Sequence, residues 1–128
     1  MGFLSEAETI RYLNERTAAS ELVVFTSPPT KAADDGTEVV GGGYSRQAAP
    51  FAPATAGSAG RTGQVINDSS ITIPNMPVAW DAIAGWGLAE VGASDPWFIE
   101  PNWTPTEEFP VGGNLNIPAG ALVLYGEN

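Results

Sequence analysis

The segment that most constrains this chain is Gly36-Thr37-Glu38-Val39-Val40-Gly41-Gly42-Gly43-Tyr44-Ser45-Arg46-Gln47. Three consecutive glycines separate two β-prone stretches, so the backbone there turns through positive φ or passes too close to another segment for a Cβ. A structural turn is therefore assigned to Gly41, Gly42 and Gly43. Upstream, Leu22-Val23-Val24-Phe25 is a short β-branched and aromatic run closed by Pro28-Pro29, which cannot continue a ladder. Lys31 to Gly36 reads as a polar loop, and Tyr44 to Gln47 is expected to re-enter the sheet after the turn.

The remaining elements follow from periodicity. Ser5 and Glu8 have the spacing of a capping box, predicting a helix from about Glu6 to Ala19. Phe3, Ala7, Ile10, Leu13 and Thr17 recur at helical intervals on one side of it. Ser69 to Pro74 alternates, with Ile71 and Ile73 on one face. Trp80, Ala82, Ala84, Trp86 and Leu88 also alternate, predicting a central strand over Val78 to Val91, with Gly85 and Gly87 on its other face where something packs closely. Leu115 with Ile117, and Leu122 to Tyr125, complete the strands around a Pro118-Ala119-Gly120 turn. Short strands between Pro and Gly turns after one opening helix indicate a mainly β fold, an antiparallel β-sandwich or jelly-roll-like domain with one N-terminal α-helix. The expected organisation is a helix in residues 1–20 and a single sandwich domain in 21–128. Within it, the small-residue run 48–63 forms an extended arm or long loop.

Composition narrows the function. The 128 residues suit one modest core. Fifteen acidic against five basic residues leave a net charge of −10, with Lys31 the single lysine. Phosphate binding needs clustered cations, so nucleic acid is not an expected partner. The absence of cysteine and histidine removes disulfides, thiolate chemistry, imidazole ligands and the ordinary neutral-pH proton shuttle. The N-terminus lacks the pattern of a signal peptide, and no apolar run approaches the ~20 residues of a membrane span, so no membrane partner is expected and the protein is read as soluble and made in the cytoplasm.

Candidate chemistry is sparse. Asp34, Asp35 and Glu38 supply oxygens of the kind calcium takes, but their spacing is not that of an EF-hand loop, and a solvated acidic turn is the better reading. Glu100 near Asp95, and Glu107-Glu108, are acid neighbours of the kind expected by chance in so acidic a chain, so no catalytic residue, metal site or cofactor is assigned. Gly41 to Gly43 is not followed by the Lys-Ser or Lys-Thr of a phosphate loop. Trp97, Phe98 and Trp103, in a loop stiffened by Pro96, Pro101 and Pro105, have three uses open to them: an intersubunit contact, burial against their own domain, or a sugar platform. They are interface candidates together with Phe3 and Ile10 of the helix.

The order and spacing of Val24 to Thr30, Gly36 to Gln47, Trp80 to Ala89 and Ile117 to Leu122 resemble a family of short virion proteins of tailed bacteriophages, usually labelled tail fibre, minor tail or structural protein. The resemblance runs along most of the chain and departs from it at Ala48 to Thr62 and at the aromatic insertion Asp95 to Trp103. It implies a virion structural protein that acts by binding and is not an enzyme. The helix, the arm and the lack of a repetitive shaft lead to the expectation of a head decoration or cement protein bridging the major capsid protein or other virion proteins, in a homo-oligomer. The alternative expectation is a tail-tip or tail-fibre component that engages host surface glycan.

Overall fold

The computed structural model describes residues 5–30, 36–56 and 63–125. A helix, α1 (Glu6–Thr17), precedes β1 (Ser20–Ser27), β2 (Thr37–Glu38), β3 (Gln47–Ala48), β4 (Gln64–Ile66) and β5 (Ile71–Ile73). A 3-10 turn at Trp80–Ala82 leads to β6 (Gly85–Glu90), β7 (Phe98–Pro101), β8 (Leu115–Ile117) and β9 (Val123–Tyr125). The principal sheet has the order β2-β1-β6-β7, with β3 beside β1 on the path that β2 begins, and every pairing is antiparallel. Two ribbons, β4-β9 and β5-β8, complete a mainly β structure whose sheets do not close.

One core joins these layers. Leu22 and Val24 of β1 and Trp86 and Leu88 of β6 point to the same side and meet Val65, Ile71, Ile73, Leu115, Ile117 and Leu124 from the ribbons. The arrangement is that of a sandwich, one sheet face covered by shorter antiparallel pairs. Alternation along β1 sends Val23 and Phe25 to the opposite face, where they pack with Ala89. On that face β6 carries the expected glycines. A Cβ at Gly87 would stand 2.6 Å from the carbonyl oxygen of Phe98 and 3.1 Å from the Phe25 ring, and one at Gly85 2.8 Å from the oxygen of Glu100. The close approach read from the sequence is present.

Two readings need correction. The alternation from Val78 does not make one strand: β6 begins only at Gly85, and Trp80 to Ala82 curl into a 3-10 turn closed by Ile83 N–H to the Trp80 carbonyl. The cause is the end of the neighbour. Gly85 pairs with Phe25, near the end of β1, so the chain before Gly85 has little strand left to pair with. The aromatic insertion, in turn, is not a loop throughout, because Phe98 to Pro101 pair with β6 as the sheet's edge strand.

Helix α1 begins where its cap predicts, with Ser5 Oγ accepting the Glu8 amide at 3.3 Å. The Glu8 carboxylate, however, takes a bond from Arg11 at 2.6 Å instead of reaching back. The buried stripe is Thr9, Leu13 and Thr17, and Ala7 is exposed. The helix is turned this way because Thr9, Ile10 and Leu13 lie over Gly63, whose missing side chain makes the room. Phe3 lies outside the described residues. Among those residues no helix is long and apolar enough to cross a membrane.

The described part of the 48–63 run is tethered to the body. Ala49 N–H bonds the Ser20 carbonyl, Ala52 N–H that of Ile66, and Thr55 and Gln64 exchange two bonds of 2.9 Å. It is a long loop laid along its own domain. Asn67, only 1% exposed, organises the turns nearby: its Nδ2 donates to the carbonyls of Ser69 and Pro118, and its Oδ1 accepts from Leu122. Placing even a methyl group at Gly87 forces the Phe98 backbone away, so Gly87→Ala is expected to destabilise the domain by about 2 kcal/mol. Thermal denaturation of the two proteins checks this, with a drop of several degrees expected.

Candidate functional site

The glycine turn acquires its geometry from a mismatch in length along β1. Ser27 pairs with Thr37 and Glu21 with Ala48, so the neighbouring chain runs from 37 to 48 against only 27 to 21 of β1. The surplus leaves the sheet at Val39 and returns at Gln47. Gly41 and Gly42 take φ of +92° and +57°, and Tyr44 N–H closes the turn on the Gly41 carbonyl at 3.1 Å. The turn is also pressed onto another segment: a Cβ at Gly42 would be 2.8 Å from the Asn75 oxygen and one at Gly43 2.7 Å from Asn75 Cβ. All three glycines therefore answer a demand of φ or of space.

That detour removes a strand partner from the outer edge of β1. The Val24 carbonyl still accepts from Val39 N–H at 3.0 Å, but the Val24 amide instead donates to the Tyr44 hydroxyl at 3.2 Å. The hydroxyl donates onward to Glu38 Oε2 at 2.7 Å. Arg46 grips the same carboxylate with two bonds, Nε to Oε2 at 3.0 Å and Nη2 to Oε1 at 2.9 Å. Its remaining donors reach the carbonyls of Ala93 at 2.6 Å and Ser94 at 3.0 Å, tying the β6–β7 connection to the turn. Glu38, Tyr44 and Arg46 thus form one buried-edge network, a set of roles that no spacing rule in the sequence announces. Glu38 is committed to it and is not free to serve a cation with Asp34 and Asp35, which lie outside the described residues.

Electrostatics follow from the same contacts. Burial opposes ionisation of Glu38, but the hydrogen bonds from Arg46 and Tyr44 outweigh it and hold the carboxyl below its ordinary 4.5. Burial, with the bond to Glu38, pushes the Tyr44 phenol well above its ordinary range. Beside the network a cleft of about 180 Å³ is lined by Val23, Phe25, Glu38, Arg46, Asp95 and Pro96, among others. Among the described residues no group of three or more carboxylates, histidines or cysteines gathers as a metal site, and Glu100, Glu107 and Glu108 are exposed.

The aromatic candidates are half-buried against their own core. Trp97 donates its indole N–H to Ser20 Oγ at 2.9 Å, and Ser20 donates to the Arg16 carbonyl at the end of α1 at 2.6 Å. Its ring meets Tyr12 edge-on at 6.5 Å, and the Arg16 guanidinium lies 5.5 Å from it. Trp97 therefore fastens the helix to the sheet. Phe98 tilts against Trp86 at 5.3 Å, Trp103 packs on the core and hydrogen-bonds Ala84 through its backbone, and Ile10 faces Gly63. The structure does not bring Ile10 and these aromatics into one patch.

Two outcomes test this geometry. Because the Glu38 pKa is lowered on folding, its stabilisation is complete above the unfolded value and is lost as pH falls through the folded one. Glu38→Gln is therefore expected to lower stability at neutral pH and to flatten its decline between about pH 5 and pH 3, read by urea denaturation at each pH. Trp97→Phe and Ser20→Ala should each cost about 1 kcal/mol or more, and the double variant less than their sum, since both remove the Trp97–Ser20 bond.

No curated protein and no solved structure matches the chain. Residues 15–125, which span the end of α1, the turn network and the nine strands of the described residues, match the family model described as podophage GP4 fiber I protein gp80. The chain belongs to that family of short-tailed phage virion proteins.

Proposed function

We propose that this chain is a structural component of the fibre of a short-tailed phage, working by binding other tail proteins and further copies of itself and not by catalysis. The family match over residues 15–125 carries the reading, since the family is described as a fibre protein. The expectation of a head decoration protein is set aside for the same reason. Its physical motive also weakens, because the two parts meant to reach adjacent subunits are folded back. Helix α1 is held by Trp97 through Ser20, and the loop after Ala48 is held at Thr55 by Gln64.

A small domain whose described loop segments are hydrogen-bonded to its body suits an element that transmits force between neighbours. Its surface offers scattered large apolar side chains, Tyr12, Val40, Val91, Val111 and Tyr125, for contacts with such neighbours. The glycan role of the aromatic strand is not carried forward, because Trp97 spends its indole N–H and one ring edge inside the domain.

The test is location in the intact particle. Antibody fragments raised against the purified domain, imaged on whole virions by negative-stain electron microscopy, are expected to decorate the fibres. Labelling spread over the head would overturn the proposal in favour of a decoration protein.

A further inference from the structure

A second, more open depression of about 340 Å³ is lined by Ala79, Trp80, Asp81, Glu108, Phe109 and Pro110. Its walls are joined, Trp80 N–H donating to the Phe109 carbonyl at 3.2 Å, and the Phe109 side chain is buried. The rim continues into Val111, which is 67% exposed. The adjoining turn is fixed by Gly112 N–H on the Met76 carbonyl at 2.7 Å and Met76 N–H on that of Gly113 at 2.8 Å. The site is thus preformed, and its volume is at the low end of the roughly 300–1,000 Å³ of ligand-binding clefts.

Its polar side-chain groups are uncommitted among the described residues. Trp80 is half-buried and its indole N–H has no acceptor among the described residues. Asp81 and Glu108 are exposed, and neither carboxylate has a hydrogen bond or ion pair there. No cation among the described residues pairs with them. Each of the three arginines among the described residues already lies on a carboxylate: Arg11 on Glu8 and Glu15, Arg16 on Glu90, Arg46 on Glu38. The protein as a whole carries −10.

An indole and two carboxylates lining one depression complement a cation, which gains ring attraction and ion pairing together. A guanidinium suits it better than an ammonium, being planar enough to stack and forked enough to bond a carboxylate twice. A sugar would use the ring but leave both charges unneutralised. We propose that this depression receives an arginine side chain of a neighbouring protein. Identifying that neighbour as a tail protein rests on the fibre reading, whereas the chemistry of the site does not.

The first experiment follows the four indole N–H signals by NMR while an acetylated, amidated Gly-Arg-Gly peptide is added, with Gly-citrulline-Gly as the uncharged control. A saturable shift of the Trp80 signal is expected with the arginine peptide alone, weakened about tenfold by the exposed-site double variant Asp81→Asn/Glu108→Gln. No shift, an equal shift with citrulline, binding untouched by the double variant, or saturation instead by an N-acetylglucosamine oligosaccharide would each overturn the proposal. The second experiment incorporates the double variant into particles, where reduced incorporation is expected. Parent chain found in fibres with the variant incorporated equally well would overturn the docking site and leave the fibre reading standing. Arginine binding as expected, with the parent located on the head, would overturn the fibre reading and leave the site standing.

Discussion

A single amide sets the terms for this fold. The neighbour of β1 carries more residues than β1 can pair, and the excess leaves the sheet as the glycine turn, taking with it the strand partner of Val24. A buried N–H with no acceptor costs about 1–3 kcal/mol, so the detour is tolerable only if something replaces the missing carbonyl. The Tyr44 hydroxyl does so. It is held there by Glu38, which is held in turn by Arg46, and Arg46 extends the support to Ala93 and Ser94 on the far side of β6. The turn, the sheet edge and the β6–β7 connection are consequently one unit, whose polar atoms are mutually satisfied.

The other half of the structure depends on that unit being rigid. With the β6–β7 connection anchored, Trp97 is delivered over α1, where its indole N–H reaches Ser20. Phe98 comes to lie against Trp86, and the edge strand closes over the glycines of β6. Asn67 plays the same part at the ribbons, satisfying Leu122, Ser69 and Pro118 with one buried side chain. The domain thus holds its extended segments through a few fully bonded polar groups as well as through its apolar core.

Legibility in the sequence followed how local the cause was. The helix start at Ser5, the pair Ile71 and Ile73, the turn at Gly41 to Gly43 and the close packing at Gly85 and Gly87 were all readable, since each is enforced by a residue's own backbone limits or by short-range period. The alternation at Trp80 to Ala84 misled, because a period of two becomes a strand only where a neighbour exists to pair with. The helix face was misplaced at Ala7 because its orientation is set by Gly63, far along the chain. The roles of Glu38, Tyr44, Arg46 and Asn67 were not readable at all. Each comes from a partner brought near by topology, and Asn67-Asp68-Ser69-Ser70 reads as an ordinary polar turn. The depression at Trp80 was hidden for the same reason, since its walls come from segments about thirty residues apart that backbone bonds such as Trp80 to Phe109 bring together.

The most direct measurement is native-state hydrogen exchange at the Val24 amide, compared between the parent and Tyr44→Phe. If the phenol replaces a strand partner, Val24 exchange should accelerate about tenfold or more beyond any global loss of stability, while Val23, whose amide faces β6, changes only with the global value. Equal changes at Val23 and Val24, or an unaltered Val24 rate, would contradict the account.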